Sequence, residues 1–330
     1  PNDLAENHLV RILSILTIVL ENVSPRMASN TAVADFAKHI IPAVTHSNAL
    51  VREAGVSGFG KMGLFTNEAT VMSEFKPLML EVASNNEETV EIRAQAMLAL
   101  SDWSMLFADV LTPCSVGDRT LAFPQLVEAM MVESKPAVVC IAAEVASKLL
   151  FAGRVKDSMW LAQLVMVFFD ARLTELAEDE DDDDAVTEVG SPVRLQQILS
   201  IFFPAYAVKG KRGQEVLMQS ILPLLHLVHA KQSQKKKPKG TKAMPIVKMT
   251  EYLCSMVEVG KDAAEDALEK AKTNDKETAS DIQKVESSSS ILAAIQIATF
   301  LSTESENLGT TFLRVLCKLL GGIDLDVEYE

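Results

Sequence analysis

Apolar and polar residues alternate with the period of an α-helix along almost the whole chain. The densest example is Arg194–Ala207, which reads RLQQILSIFFPAYA. Within it Ile198, Leu199 and Phe202 recur at spacings that place them on one helical face. This stretch predicts a helix packed against other helices, and Pro204 is expected to end it.

The other helical segments come in pairs separated by short polar breaks, and no segment predicts a strand convincingly. The predicted helices are 4–23, 31–44 with 50–65, 68–83 with 89–107, 120–132 with 137–151, 155–176 with 193–207, and then 244–257, 261–272, 287–301 and 308–320.

The second helix of several pairs begins with an aliphatic residue followed by Arg52, Arg93 or Arg194. The first interval is 93 − 52 = 41 residues, which lies in the range of about 40 to 47 residues for HEAT and armadillo repeats. The pattern predicts an all-α HEAT-repeat solenoid, a right-handed superhelix of antiparallel helix pairs. Its predicted interior includes Val56, Ile92, Leu100, Ile141, Leu149, Ile198 and Phe202.

Composition supports this class and suggests where the repeats are interrupted. The chain is 48% hydrophobic but only 5% aromatic, as suits helices packed through aliphatic side chains. We expect HEAT repeats over 1–176, an acidic disordered loop over 177–192, a HEAT repeat over 193–230, a Lys-rich loop over 231–243 and C-terminal helical repeats over 244–330.

Charge is distributed very unevenly within a net charge of −14. Glu178–Asp184 is entirely acidic, whereas Lys209–Lys242 holds nine Lys and Arg residues against Glu215, or +8. Flexible lysines neutralise phosphates without reading bases, so this tract predicts a DNA contact. A solvated or nuclear-localisation segment is the alternative. The candidate DNA-binding residues are Lys209, Lys211, Arg212, Lys235, Lys236 and Lys237.

Ser191 precedes Pro192 just after the acidic run. In an exposed segment this dipeptide is a candidate site for a proline-directed kinase. The alternative is that Ser191 caps the following helix.

Two other motifs resemble sites of cofactor binding or metal binding. Gly58–Gly63 has the spacing of a dinucleotide-binding loop, but it lies inside a helical pattern and is better explained by close helix packing. His226 and His229 would share a helical face without a third ligand. We therefore expect no catalytic site, no metal and no cofactor.

The start of the chain and the cysteines bear on location. The apolar run from Ile12 to Leu20 is too short to span a bilayer. The four cysteines are far apart and form no Cys-x-x-Cys pair, as expected of reduced thiols in an intracellular protein. A start at Pro1 within a helical pattern leads us to expect preceding repeats in a longer chain.

Three segments carry a resemblance to a known family. They are Val193–Leu195 with Leu199–Ala207, Val51-Arg52 with Gly60, Gly63 and Leu64, and Glu144 with Lys148–Phe151 and Gly153. In their order along the chain they resemble the condensin HEAT-repeat subunits called chromosome-associated protein G or condensin complex subunit 3. The resemblance covers most of residues 1–258 and corresponds to the C-terminal half of the longer family chain.

The resemblance implies a non-catalytic subunit acting in mitotic chromosome condensation. Such a subunit binds the kleisin and, through it, the SMC ATPase subunits, and it grips double-stranded DNA with the kleisin. It implies a location in the nucleus and on mitotic chromosomes, with a cytoplasmic pool, and no membrane or small-molecule partner. A HEAT-repeat nuclear transport receptor that binds cargo and a small GTPase is the first alternative. An enzyme hidden in a helical fold is the second.

Overall fold

The structure of the protein is a computed structural model. It describes residues 2–22, 30–179 and 189–233, and beyond these residues 248–249, 252–253, 255–256, 259, 294–303, 313–314, 316–317 and 320. These residues are almost entirely helical, so the all-α prediction is confirmed. They belong to two compact units, Pro1–Arg154 with Val186–Ser191 and Val155–Ala185 with Pro192–Glu330. We call these the first and the second unit.

The first unit contains the helical pairs that periodicity predicts. Its helices are α1 (Asn2–Asn22), α2 (Asn30–Val44), α3 (Ala49–Gly63), α4 (Glu68–Thr70), α5 (Lys76–Ser84), α6 (Val90–Leu106), α7 (Phe123–Met131) and α8 (Pro136–Phe151). Consecutive helices joined by a few residues run antiparallel, so α2 pairs with α3, α5 with α6 and α7 with α8. Helix α6 packs against both α3 and α8, which stacks the second helices of successive pairs.

Polar side chains begin the second helices where the sequence places short breaks. The side chain of Asn48 accepts a hydrogen bond from the Leu50 N–H at 2.9 Å, and that of Thr89 accepts one from the Ile92 N–H at 3.3 Å. Each bond satisfies an N–H that a helix start leaves without an intrahelical partner.

Five residues between α4 and α5, Val71–Phe75, form a π-helical turn. Pro77 follows in the first turn of α5 and has no N–H to donate to the preceding turn. The wider turn joins the two helical segments at the point where proline removes a regular bond.

The glycines of α3 lie where neighbouring helices approach it most closely. A Cβ on Gly60 would lie 2.7 Å from the Cβ of Ala99, and one on Gly63 would lie 2.3 Å from the ring of Trp103. The indole Nε1 of Trp103 donates to the Gly60 carbonyl at 2.8 Å. The Gly58–Gly63 motif therefore serves helix packing, as predicted.

A short antiparallel hairpin is the main element of the first unit that periodicity misses. It joins β1 (Cys114–Val116) to β2 (Arg119–Leu121), so the predicted helix 120–132 begins only at Phe123. Gly117 takes a φ of 58° in the two-residue turn, and Gly-Asp between short strands is a hairpin signal. Three-residue strands are too short for alternation to show.

Lys76 is buried and forms hydrogen bonds with the segment that precedes this hairpin. Its Nζ donates to the carbonyls of Asp109 and Thr112 at 2.8 and 2.7 Å. Burial lowers the pKa of Lys76, although the charges of Cys114 and Asp109 oppose that shift. The ammonium thus satisfies carbonyls that lie outside regular helices.

The second unit contains α9 (Ser158–Phe168), α10 (Ala171–Asp179), α11 (Pro192–Ala207), α12 (Lys211–Gln219) and α13 (Ile221–Ser233). Helix α9 packs against α11, α12 and α13, and α10 packs against α11. Beyond α13, residues 294–303 are helical. The predicted helix 261–272 lies outside the described residues.

Several predicted boundaries in the second unit are wrong. The helix 155–176 divides into α9 and α10 because Asp170 accepts a hydrogen bond from the Arg172 N–H at 3.0 Å and starts a new helix. Residues 177–179 belong to α10 and residues 231–233 to α13, whereas the sequence predicts loops at both places. The other domain boundaries remain predictions.

Helix α11 also departs from the sequence prediction at two positions. Pro204 does not end the helix but lies inside it, three residues before Ala207. Ile198 is only half-buried, whereas the other predicted interior residues are buried. Leu199 and Phe203, both fully buried, form the packed side of α11.

Aromatic rings fill the second unit around α9 and α11. The rings of Phe168, Phe203 and Tyr252 lie 5.4 to 5.6 Å apart, centroid to centroid. Burial also raises the pKa of Tyr206 to about 12. We call Phe168, Phe169, Phe203 and Tyr252 the aromatic cluster.

Candidate partner and nucleic-acid interface

Two of the three repeated arginines join successive helical pairs. Arg52 donates to the backbone carbonyls of His46 and Ser47 and to the Glu88 carboxylate at 2.9 Å. Glu88 lies in the turn that precedes α6, the second helix of the next pair. The arginine signature of this repeat is therefore structural.

Arg93 makes the same connection one pair further along the chain. It is only 2% exposed, and its Nε donates to the Ala83 carbonyl at 3.0 Å. Its Nη2 contacts Glu133, in the turn before α8, at 2.7 Å. Charge-assisted bonds of this kind fix the register of neighbouring pairs.

The predicted basic tract is not one continuous segment. Helices α12 and α13 lie inside it and bury Leu217, Leu224 and Val228. They separate Lys209–Arg212 from Lys235, Lys236 and Lys237, which lie outside the described residues.

Lys209, Lys211 and Arg212 do not lie at the end of one helix but span the passage from α11 into the first residues of α12, and we call them the basic turn. Lys209 is exposed and follows α11, while Lys211 begins α12. Gly210 has a φ of 94°, and a Cβ on Gly213 would lie 2.7 Å from the Tyr206 carbonyl oxygen. The two glycines let α12 start directly against the end of α11, so the backbone of this basic turn is closely constrained.

Ser191 is 5% exposed, which corrects the expectation that it lies in an exposed segment. It directly precedes α11, the position expected of a helix cap. Next to it, Gly190 has a φ of 86°, and a Cβ there would lie 3.2 Å from the Ala137 carbonyl oxygen. The chain is therefore tightly packed on the N-terminal side of Ser191.

His226 and His229 both lie against the ring of Phe300, at centroid distances of 4.9 and 6.2 Å. Across the described ranges, no three His, Cys, Asp or Glu side chains come together as a metal site would require. Among the same residues, no helix combines the length and apolarity needed to cross a membrane.

Sequence reasoning missed two exposed apolar residues, one on α11 and one just after its end. Ile201 is 71% exposed on the helix, and Val208, the residue after its last one, is 48% exposed. The sequence carries no signal for them, because Gln197 and Ser200 on the same side of the helix are polar and exposed.

The paired helices, the stacked second helices and the repeated arginine bridges define a HEAT-repeat helical protein. A family model described as nuclear condensing complex subunits, C-term domain, matches residues 11–325. The chain therefore belongs to this Cnd3 family of condensin subunits.

The solved structure of the S. pombe condensin Cnd3-Cnd2 subcomplex has a similar fold, with a TM-score of 0.56 and 18% sequence identity. The similarity covers 96% of this chain and 42% of the matched chain. The comparison with curated proteins gives no match. The family match favours the condensin interpretation over a nuclear transport receptor.

Proposed function

We propose that the chain is a non-catalytic condensin subunit that binds the kleisin and double-stranded DNA in mitotic chromosome condensation. The observation that carries this proposal is the family match across residues 11–325. Kleisin binding would connect the chain to the SMC ATPase subunits. The proposed location is the nucleus and mitotic chromosomes, with a cytoplasmic pool.

Co-purification tests the choice of partner. The condensin kleisin should be retained by the chain, whereas a GTP-loaded transport GTPase should not. Retention of the GTPase without the kleisin would instead support the transport-receptor alternative.

The basic turn supports the DNA part of the proposal. Lys209, Lys211 and Arg212 place three cations within four residues of a constrained backbone. The chain has a net charge of −14, so long-range attraction to DNA is weak and local phosphate contacts must dominate. If about four to six cations contact phosphate, log affinity should fall against log salt with a slope of about −4 to −5.

Charge reversal in the kleisin complex tests this contact. Changing Lys209, Lys211 and Arg212 together to Glu should weaken DNA binding for all sequences and flatten the salt slope. Changing Lys235, Lys236 and Lys237 to Glu should have the same effect more weakly. Reversing Lys38, Arg119 and Lys135, all exposed, makes the same charge change elsewhere and is the matched control. Wild-type affinity and slope in both test variants would place the DNA path elsewhere.

Phosphorylation of Ser191 remains part of the proposal in a modified form. Since Ser191 is buried, a kinase would reach it only after a local opening of the segment that contains it. Adding roughly −2 charge would then hinder reclosing and add to the acidic run. Mass spectrometry of mitotic protein that finds Ser191 always unmodified would remove this idea.

A further inference from the structure

The link between α6 and the hairpin carries a Thr-Pro dipeptide at the surface. Thr112 and Pro113 are both exposed; they follow a short 3-10 helix, Ala108–Leu111, and precede β1. Thr112 has a φ of −76° and a ψ of 155°, the extended conformation that proline favours in the residue before it. An exposed and extended Thr-Pro dipeptide is accessible to a kinase without the opening of a helix.

The other dipeptides of this kind in the chain differ from Thr112-Pro113 in position and exposure. They begin at Ser24 and Ser191. Ser24 lies outside the described residues, and Ser191 is only 5% exposed, directly before α11. Of the two dipeptides within the described ranges, the one at Thr112 is therefore the one that a kinase can reach in the folded chain.

A buried ammonium group contacts the Thr112 hydroxyl. Lys76, the first residue of α5, is 2% exposed. Its Nζ donates to Oγ1 of Thr112 at 3.2 Å, in addition to the Asp109 and Thr112 carbonyls described above. All of these acceptors are uncharged oxygens, so none of them neutralises the ammonium charge. A phosphate on Thr112 would supply an anion at the same position.

We propose that Thr112 is a phosphorylation site for a proline-directed kinase and that Lys76 binds the phosphate. In the reaction, Oγ1 of Thr112 attacks the γ-phosphorus of ATP, and the bond from that phosphorus to the bridging oxygen of ADP breaks. ADP leaves, and the hydroxyl proton passes to the catalytic base of the kinase. The inference goes beyond the proposed function and does not depend on it.

Phosphorylation changes two contacts of Oγ1. The hydroxyl loses the proton that it donates to the Asp109 carbonyl, at 2.7 Å in the unmodified chain. The phosphate adds roughly −2 charge and strong acceptor oxygens, which form charge-assisted hydrogen bonds with Nζ of Lys76. Because Lys76 begins α5 and β1 packs against α5, these bonds should hold the link and the hairpin more firmly on that helix.

Phosphorylation of the 330-residue chain by a purified proline-directed kinase with ATP tests the site. Mass spectrometry should find phosphate on Thr112, added about tenfold faster or more than on Ser191, which needs a local opening. Thr112→Val keeps the branched shape but removes the hydroxyl, so this variant should lose the phosphate. Ser191→Ala is the matched control and should keep it.

A peptide of residues 107–121 separates recognition of the sequence from access in the fold. Phosphate on the peptide but not on the folded chain would mean that packing hides Thr112. Phosphate on neither would mean that the kinase does not recognise the dipeptide. Either result overturns the proposal and leaves kleisin and DNA binding untouched.

The role of Lys76 has its own measurement, a pH titration of the phosphorylated chain followed by phosphorus NMR. The phosphate should lose its last proton at lower pH in the folded chain than in the phosphorylated peptide, because the peptide lacks Lys76. The peptide retains the charged and titratable side chains of the segment itself, which are Asp109, Cys114, Asp118 and Arg119.

Two further observations complete the test of Lys76. Lys76→Met should remove the difference between chain and peptide, and the wild-type comparison remains decisive where that variant fails to fold. Hydrogen exchange of the hairpin amides should become slower on phosphorylation. Equal titration in chain and peptide, or hairpin exchange that is unchanged or faster, would overturn the binding of the phosphate by Lys76.

Discussion

The two units use different side chains to pack their helices against one another. In the first unit, glycines let helices touch and two arginines bridge successive pairs, as Gly63 with Trp103 and Arg93 with Glu133 illustrate. In the second unit, the aromatic cluster fills the space between α9 and α11. Close backbone approach should make the first unit sensitive to added volume, whereas ring packing should make the second sensitive to lost volume.

The largest expected effect is the loss of a ring from the second unit. Phe203→Ala removes a fully buried side chain that contacts Phe168 and Tyr252, and it should cost about 3 to 5 kcal/mol of unfolding free energy. Phe202→Ala should cost a similar free energy of unfolding, because the Phe202 side chain is only 6% exposed. Urea denaturation followed by circular dichroism measures the change. Ile201→Ala, at the neighbouring exposed position, should stay within about 0.5 kcal/mol, and an equal loss there would contradict the packing argument.

The next effect concerns the arginine bridges of the first unit. Arg93→Met leaves the Ala83 carbonyl and the Glu133 carboxylate without their donor, which should cost about 1.5 to 3 kcal/mol. Arg52→Met should cost less, because the Arg52 side chain is 20% exposed and that of Arg93 only 2%. Thermal denaturation of both variants ranks them. A larger effect at Arg52 would mean that burial does not set the strength of these bridges.

A comparable or smaller effect is expected from adding volume between α3 and α6. Gly63→Ala places a Cβ 2.3 Å from the Trp103 ring and should cost about 1 to 3 kcal/mol. Trp103→Leu shortens the opposing side chain, so the added cost of Gly63→Ala should shrink in that background. Additive effects in the double variant would show that the glycine serves another purpose. Ser57→Ala, on the same helix, is the control for alanine substitution.

The smallest expected effect is a loss of folding stability in acid, caused by protonation of Asp170 between α9 and α10. Burial alone would raise the pKa of Asp170, but hydrogen bonds from Arg172, with the charges of Arg172 and Lys231, lower it below 3.8. A carboxyl with a lowered folded pKa adds stability above its unfolded pKa, and this is lost as the pH falls through the folded value. Asp170→Asn should therefore lose less stability than wild type below pH 3.8. Equal acid profiles for the two proteins would contradict this assignment.

Local pattern was enough to predict the helical pairs. Ranges such as 31–44 and 137–151 come within a residue or two of α2 and α8, because an apolar stripe at helical spacing depends only on neighbours along the chain. The glycine motif was also interpreted correctly, since a helix interior excludes a phosphate-binding loop. The class of protein and its family resemblance follow from these same local features.

Tertiary structure decided which faces are covered and where the basic residues lie. Periodicity places Ile198 on the packed face, yet it is half-buried, while Ser191 is buried despite its polar surroundings. Whether Lys209 ends a helix or begins a turn depends on how closely α12 approaches Tyr206, which Gly213 permits. The exposed side of α11 shows the same limit. The sequence places apolar residues such as Ile201 and Leu199 on different sides of this helix, but only the packing of α9, α10 and α12 determines which side the protein itself leaves exposed.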